Sequence, residues 1–275
     1  MSFPLDTVDV ARRFGGVSRL YGADGLKRLQ ASHVCVIGIG GVGSWAVEAL
    51  ARNAIGRITL IDLDNIAESN VNRQLHAIEG AFGKAKVTAM AERMRLINPN
   101  LIVAEVEDFI TLDNVSQMLD QNFDGIVDCI DDAQAKMAIA HFCKQKQIPL
   151  IMTGGAGGRL DPTQIKHEDL SQVAGDRLLA KVRNGLRRDY GFPKGSDGTG
   201  KLSVAKRKAA NFGITAVYSS EPVLQPENEN AACDTTNTGV TGLNCAGYGS
   251  SVCVTAPFGF TAVSLLLKQL LNPSF

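Results

Sequence analysis

The chain has 275 residues, enough to bury the core of one large α/β domain or of two small ones. Hydrophobic residues make up 45% of it and charged residues 20%, an ordinary composition for a soluble globular protein. The 28 basic and 28 acidic residues cancel, so any affinity for a polyanion must come from a local patch. The segment MSFPLDTVDVARRFGG contains no apolar run of signal-peptide length, and we expect a cytoplasmic location.

The pattern of apolar residues predicts strands that alternate with helices. Strands are expected at 34–38, 57–61, 101–106, 125–130 and 148–152. Helices are expected at 42–53, 84–97, 112–119 and 133–146. Continuous apolar strands in this alternation indicate an α/β protein with a Rossmann-like, doubly wound sheet that is mainly parallel.

The C-terminal part of the chain departs from this alternation. A further strand is predicted at 214–219, and the apolar stretch 252–271 is interpreted as a buried strand followed by a helix. Pro257, Gly259 and Lys268 interrupt that stretch before about twenty apolar residues accumulate, so we do not expect it to span a membrane.

A basic window extends from Arg177 to Lys208. It holds ten Lys or Arg residues against Asp189 and Asp197, a local charge of +8. Such a patch on a neutral protein favours a polyanionic partner, although a solvated loop would show the same charge. Because the window also contains GFPKGSDGTGK, we predict a mobile basic insertion at 175–212 within a single domain of residues 1–275.

The segment GIGGVG follows the first predicted strand and precedes the first predicted helix. Small residues at Gly38, Gly40, Gly41 and Gly43 let backbone N–H groups approach a phosphate at the helix N-terminus. Asp62, 24 residues after Gly38, is placed to accept hydrogen bonds from ribose hydroxyls. These features predict an adenine nucleotide and by themselves leave NAD and ATP open.

The residues behind the second strand favour ATP. Two cations there, Arg73 and Lys86, suit the greater charge of a triphosphate. The fourth strand ends in Asp128, Asp131 and Asp132, whose oxygens suit Mg²⁺ bound together with phosphates. Any one of these charges could simply form a surface salt bridge. The set as a whole predicts an ATP and magnesium site.

These residues resemble the adenylating domain of the ThiF/MoeB/HesA superfamily, whose members are related to ubiquitin-activating enzymes. The motifs that carry the resemblance are the glycine loop, Asp62-x-Asp64, Asn70-x-x-Arg73-Gln74, Lys86 and DCIDD. The resemblance covers roughly residues 12 to 160 and implies adenylation of a carboxylate by ATP and Mg²⁺. It implies that the glycines and Asp64, Asn70 and Gln74 help to hold ATP, that Asp62 binds the ribose, that Arg73 and Lys86 bind phosphate oxygens, and that Asp131 binds magnesium.

The chain departs from the family pattern in three places. Asp131-Asp132 stands where Asp-Asn is usual, which leaves the role of Asp132 open. The six cysteines form no CxxC pair, so we expect no zinc. The family's N-terminal arginine, which crosses a dimer interface, corresponds to Arg13 or Arg19, and a homodimer is implied.

Four further segments, RFGGVSRLYG, GGAGGRLDPT, VRNGLRRDYGF and VYSSEPV, are similar to one branch of the superfamily. Members of that branch cyclise the threonylcarbamoyl group on a tRNA adenosine next to the anticodon in an ATP-dependent dehydration. The polyanionic partner is then tRNA. The basic residues expected to bind it are Arg177, Lys181, Arg183, Arg187, Arg188, Lys206, Arg207 and Lys208.

Two other functions remain open from the sequence. One is activation of the C-terminus of a ubiquitin-like or sulfur-carrier protein, and the other is an NAD-dependent oxidoreductase. Cys233 lies in a polar loop and is a candidate reactive thiol, which would imply a sulfur-transfer protein as a partner. An incidental loop cysteine is the competing interpretation.

Overall fold

The computed structural model describes residues 8–194, 211–224 and 248–272. The strands are β1 (His33–Ile37), β2 (Arg57–Ile61), β3 (Ile102–Val106), β4 (Gly125–Asp128), β5 (Leu150–Thr153), β6 (Ile165–Asp169) and β7 (Thr215–Ser219). The helices are α1 (Val10–Ala31), α2 (Gly43–Arg52), α3 (Lys86–Ile97), α4 (Val115–Leu119), α5 (Ala133–Lys146), α6 (Arg177–Asp189) and α7 (Val252–Leu271). Short 3₁₀ turns occupy Glu68–Asn70 and Pro162–Gln164.

The seven strands form one sheet in the order β3-β2-β1-β4-β5-β7-β6. All neighbouring strands are parallel except β6, which pairs antiparallel with β7 at the edge. The predicted α/β class and mainly parallel sheet are confirmed. The chain order reverses between β1 and β4, and in open α/β sheets ligands bind beyond the carboxyl ends of the strands at such a reversal.

Both faces of the sheet are covered by helices. Along β1, Cys35 and Ile37 pack with α4, α5 and α6, while Val34 and Val36 pack with α2, α3 and α7. Successive strand residues point to opposite faces, so a strand between two layers of helices must be apolar throughout. All five residues of β1 are buried, as this position requires.

The predicted strand at the start of the C-terminal apolar stretch is wrong. Residues 252–271 form the single helix α7, which begins where the Ser251 side chain accepts a hydrogen bond from the Cys253 N–H (3.2 Å). Gly259 permits close contact with α2, because a Cβ atom there would lie 2.6 Å from the Val42 carbonyl oxygen. The glycine that suggested a break in the pattern is therefore a helix–helix contact.

α7 is the helix, among those described, that is long and apolar enough to cross a membrane. Half of its apolar window is buried within the protein. Its buried side chains include Phe258, Val263 and Leu266, which belong to the core cluster beneath β1. α7 thus occupies the place of a core helix.

The loop predicted for the basic window is wrong over residues 177–189, which form the helix α6. The Asp176 carboxylate caps its first turn and accepts a hydrogen bond from the Leu179 N–H (2.8 Å). The side chains of Leu179, Val182 and Leu186 are buried against the sheet. The basic residues obscured this amphipathic pattern in the sequence. The sequence also failed to indicate α1 and β6.

Candidate active site

A crevice of about 580 Å³ opens at the carboxyl ends of β1, β2 and β4. Its volume falls in the range of cofactor sites, roughly 300–1,000 Å³. The predicted site residues that line it are Gly38, Gly40, Gly41, Asp62, Asp64, Arg73, Gln74, Lys86 and Asp131. Most of the predicted nucleotide and metal residues are therefore brought together in one place.

The glycine loop crosses the crevice floor in a conformation that other residues would not adopt. Gly38 has φ +84°, and a Cβ atom on it would lie 2.9 Å from Ile130 Cγ2. Gly43 does not line the crevice, but a Cβ atom there would lie 1.8 Å from the Gly38 carbonyl oxygen. Gly43 is needed so that the first turn of α2 can pass over the loop.

Asp62 ties the glycine loop to the end of β2. One of its carboxylate oxygens accepts the Ile39 N–H (2.5 Å) and the other accepts the Asp64 N–H (2.9 Å). Burial raises the pKa of Asp62, although the Lys86 ammonium and the two N–H donors oppose this. Each oxygen retains a lone pair, so the carboxylate can still accept a ribose hydroxyl.

Lys86 begins α3 and is almost fully buried in the crevice wall. Its Nζ donates to Asp64 Oδ2 (2.6 Å) and lies 3.9 Å from Asp62 Oδ1. The Lys86 ammonium is already largely removed from water and its partner Asp64 is half-exposed, so a phosphate could replace Asp64 without further desolvation of the ammonium.

Arg73 differs from Lys86 in having no carboxylate partner among the described residues. Its Nη1 donates to the Ser69 carbonyl oxygen (2.7 Å) and to Asn72 Oδ1 (2.9 Å). The alkyl part of its side chain packs on the glycine loop, since a Cβ atom on Gly41 would lie 3.1 Å from Arg73 Cγ. Arg73 also lines the crevice, so its positive charge is available there to an anion.

The three aspartates after β4 have different roles. Asp128, predicted to face the crevice, is instead fully buried, with its Oδ1 3.0 Å from Lys136 Nζ. Asp132 caps α5 by accepting the Ala135 N–H (2.7 Å), a role that asparagine would fill equally well. Asp131 and Asp132 both line the crevice, and only Asp132 is the N-cap of α5.

The carboxylates that line the crevice could hold a magnesium ion together with the phosphates of ATP. No cluster of three or more acidic, histidine or cysteine side chains suited to a metal occurs within residues 8–194, 211–224 and 248–272. Mg²⁺ commonly binds through one or two carboxylates, with substrate phosphates and water completing its shell. Asp131 is one of several carboxylates on the crevice wall and could supply one such ligand.

Asn70 does not line the crevice. Its Oδ1 accepts the Ala67 N–H (3.0 Å) and so fixes the 3₁₀ turn that precedes Arg73. Its predicted role as a direct ATP contact is not supported by its position, and its effect on the site is to place Arg73.

Sequence reasoning missed three parts of the crevice wall. They are residues 108–112 after β3, residues 154–157 after β5, and Tyr248, Ser250 and Thr255 near the start of α7. Phe109 and Leu112 are about half exposed there, an apolar surface suited to a base. The glycines of the GGAG run at 154–157 are the sequence signal for the second of these parts.

The basic residues of α6 divide into two groups. Arg177, Lys181 and Arg188 are exposed on one face at helical spacing. Arg183 and Arg187 are half-buried and donate to the carbonyl oxygens of Val173 and Ser171, so they anchor the helix. Arg177 also donates to the Tyr248 hydroxyl (3.3 Å), which places the start of this row beside the crevice. Lys206, Arg207, Lys208 and Cys233 lie outside the described residues.

The two N-terminal arginines are not equivalent. Arg13 Nη1 donates to the Ile97 carbonyl oxygen at the end of α3 (2.6 Å). Arg19 is exposed on α1 and has no ion pair with the described residues.

Comparison with known proteins identifies the family of the chain. The model of the ThiF family matches residues 14–273. The chain belongs to the ThiF family. Among curated ThiF relatives, the tRNA threonylcarbamoyladenosine dehydratase of Haemophilus influenzae is 47% identical over 95% of this chain and 94% of its own length.

Solved structures of ThiF relatives are also similar to this chain over nearly its whole length. The Escherichia coli tRNA N6-threonylcarbamoyladenosine dehydratase in complex with ATP is 40% identical, with a TM-score of 0.83 and coverage of 98% of both chains. The complex of the same protein with AMP also has a TM-score of 0.83. A more distant relative, the molybdopterin-synthase adenylyltransferase of H. influenzae, is 26% identical over 59% of this chain.

Proposed function

We propose that this chain is an ATP-dependent tRNA threonylcarbamoyladenosine dehydratase that adenylates the threonyl carboxylate. The observation that carries the proposal is the crevice with its glycine loop and cations, in a chain 40% identical over 98% of its length to a dehydratase that binds ATP. The substrate is the modified adenosine beside the anticodon, and the product is its cyclised form.

The reaction requires activation because an oxide ion is a poor leaving group from a carboxylate. The threonyl carboxylate attacks the α-phosphorus of ATP, a P–O bond breaks, and pyrophosphate leaves. The carbamoyl oxygen or nitrogen of the same substrate then attacks the acyl carbon, and AMP leaves with the former carboxylate oxygen. The attacking group loses a proton to solvent, and no enzyme nucleophile is consumed.

The protein supplies charge and position. Arg73, whose guanidinium has no carboxylate partner among the described residues, binds phosphate oxygens and stabilises the charge that develops on pyrophosphate. Lys86 exchanges its bond to Asp64 for a phosphate oxygen. Asp131 would hold the Mg²⁺ that neutralises the triphosphate. The glycine loop provides a close backbone approach at the start of α2.

The tRNA binds across the exposed row of α6. Arg177, Lys181 and Arg188 lie on one side of a helix whose first turn adjoins the crevice. Cations in such a row bind backbone phosphates with little dependence on sequence, while the crevice selects the modified base. In this proposal residues 175–212 remain a basic insertion within one adenylation domain of residues 1–275.

The remaining assignments follow from the substrate and the family. The protein acts in the cytoplasm, where its tRNA substrate is found, and forms a homodimer in which Arg19 crosses the interface. The accompanying hypothesis of a sulfur-transfer partner depends on Cys233.

The test is ATP–pyrophosphate exchange with three substrates: tRNA that carries threonylcarbamoyladenosine, unmodified tRNA, and a candidate carrier protein. Exchange that depends on the modified tRNA is expected. Arg73→Ala should reduce it at least about tenfold, because a hydrogen bond to a charged group contributes roughly 1.5–3 kcal/mol. Arg95→Ala, which removes an arginine paired with Glu105 away from the crevice, is the matched control. Exchange that depends only on the carrier protein would favour the alternative, activation of a protein C-terminus.

A further inference from the structure

His76 is a buried histidine next to the crevice that the proposed chemistry does not use. It follows Gln74 by two residues and is 4% exposed, while Gln74 is 6% exposed and lines the crevice. Buried polar side chains are retained where they have hydrogen-bond partners, so the partners of this imidazole indicate what it does.

The hydrogen bond between the two side chains fixes the direction of the Gln74 amide. His76 Nε2 lies 3.0 Å from Gln74 Oε1. An amide oxygen only accepts, so the imidazole must carry its proton on Nε2 and donate it. The other end of the amide then points away from His76, and a Cβ atom on Gly40 would lie 3.9 Å from Gln74 Nε2. The amide N–H₂ group therefore faces the glycine loop.

The second imidazole nitrogen agrees with this protonation state. His76 Nδ1 is buried and has no hydrogen-bond partner among the described residues. A proton there would add an unpaired positive charge in a buried place close to the Lys86 ammonium. Burial, together with the Lys86 charge, lowers the pKa of His76 to about 4, so the ring is neutral at physiological pH. A neutral donor orients the amide without adding charge beside Lys86.

We propose that His76 is a positioning residue, which holds the Gln74 amide so that its N–H₂ group donates to a phosphate of ATP. The inference rests on the proposed function, because it requires ATP in the crevice. Without the His76 donor the amide could rotate, and its oxygen would then face the phosphates and repel them. His76 thus selects the orientation of Gln74 that favours a triphosphate.

The experiment is calorimetric titration of the full chain with Mg·ATP and with adenosine. His76→Phe keeps an aromatic ring but removes the donor, and it is expected to weaken ATP binding about tenfold while adenosine binding stays unchanged. His76→Gln places an amide donor at a similar reach and should restore most of the ATP affinity. Should His76→Phe not fold, His76→Asn, whose amide is too short to reach Gln74, takes its place.

The decisive comparison is a double-variant cycle. If His76 acts through Gln74, then Gln74→Ala combined with His76→Phe should bind ATP no more weakly than Gln74→Ala alone. His33→Phe is the matched control, since His33 is also buried and bonded through Nε2, to Thr59 Oγ1 (2.9 Å), at the opposite end of β1. It should bind ATP as the unmodified chain does.

Three results would overturn the inference: losses that multiply in the double variant, equal weakening of ATP and adenosine, or normal ATP affinity in His76→Phe. Failure of the unmodified chain to bind ATP at all is a different result, which would refute the proposed function itself.

Discussion

At the scale of single residues, the two adjacent aspartates after β4 show how neighbouring carboxylates can differ in function. Asp132 caps α5, and asparagine is as good an N-cap as aspartate. Both residues line the crevice, but Asp131 is not the cap, and a neutral amide in its place would be a far weaker ligand for Mg²⁺.

We therefore expect Asp131→Asn to lower the rate of adenylation at least about tenfold and to raise the Mg²⁺ concentration that half-saturates it. Asp132→Asn should leave both quantities within about twofold, since the cap is kept. Steady-state adenylation measured against Mg²⁺ concentration checks this. Equal losses in the two variants would contradict the assignment of Asp131 as the metal ligand.

The buried imidazole of His76 also predicts how stability depends on pH. Burial first and the Lys86 charge second lower its pKa from 6.5 to about 4 in the folded chain. The unfolded chain therefore binds a proton between these values that the folded chain does not. The free energy of unfolding therefore has its full value above pH 6.5, and it decreases as the pH falls towards 4.

Between pH 7 and pH 5 this linkage should lower the free energy of unfolding by about 2 kcal/mol. His76→Phe should show a pH dependence that is shallower by about that amount, because the titrating group is gone. The charged groups near the ring, Lys86 with Asp62 and Asp64, remain in both proteins. Urea unfolding at the two pH values measures the difference, and parallel curves would contradict the prediction.

At the scale of secondary-structure elements, β4 and α5 are joined by an ion pair with no exposed surface. Lys136 Nζ lies 3.0 Å from Asp128 Oδ1, and the same carboxylate oxygen accepts the Ile130 N–H (3.1 Å). The pair thereby fixes the turn that carries Asp131. Burial raises the pKa of Asp128, while the Lys136 ammonium acts against that effect.

Lys136→Met should destabilise the fold by about 3–5 kcal/mol, because it leaves the Asp128 carboxylate buried without a counter-charge. Combining it with Asp128→Asn should recover most of the loss, since both charges are then removed. Chemical denaturation of the single and double variants tests this. A double variant as unstable as Lys136→Met alone would show that the charge imbalance is not the cause.

The helix α6 separates basic residues that bind tRNA in our proposal from those that hold the helix. Lys181→Glu with Arg188→Glu should weaken tRNA binding and reduce the slope of log affinity against log salt by up to about 2, since each phosphate contact contributes roughly 0.9. ATP affinity should not change. Filter binding at several salt concentrations, with Lys27→Glu as control on α1, provides the measurement.

Arg187→Glu should behave differently from that pair. Arg187 lies 5.4 Å from the Phe212 ring centre and donates to two carbonyl oxygens, so reversing its charge should reduce the stability of the fold.

Normal tRNA binding by the Lys181/Arg188 double variant would mean that tRNA binds another surface.

At the scale of the whole molecule, the proposed homodimer depends on Arg19, an exposed arginine at the surface of α1. Arg13 is bonded within the chain to the Ile97 carbonyl oxygen, whereas Arg19 is exposed and has no ion pair with the described residues. Arg19→Glu should therefore shift the protein from dimer to monomer, and Arg13→Glu should do so less. Light scattering coupled to size-exclusion chromatography measures both. A monomeric unmodified chain would refute the dimer.

The sequence alone determined the parallel part of the sheet and the glycine loop. The local spacing of apolar residues distinguishes buried strands from amphipathic helices. The first five strands and the helices between them could therefore be predicted. The glycine spacing reflects backbone geometry within six residues, which the structure reproduces at Gly38 and Gly43. The ATP preference came from charges close behind β2, which lie in the same crevice.

Only the tertiary structure decided what each charged or polar group contacts. Asp128 was expected in the crevice, but Lys136, eight residues away on the next helix, holds it in the core. The sequence groups Arg183 and Arg187 with the cations predicted to bind tRNA, whereas in the structure both donate to loop carbonyl groups. The local pattern predicts a strand and a helix in the apolar stretch at 252–271, because Gly259 interrupts it. The structure has a single helix there, in which Gly259 permits the contact with α2. These pairings depend on distances between separate elements, which local residue patterns do not encode.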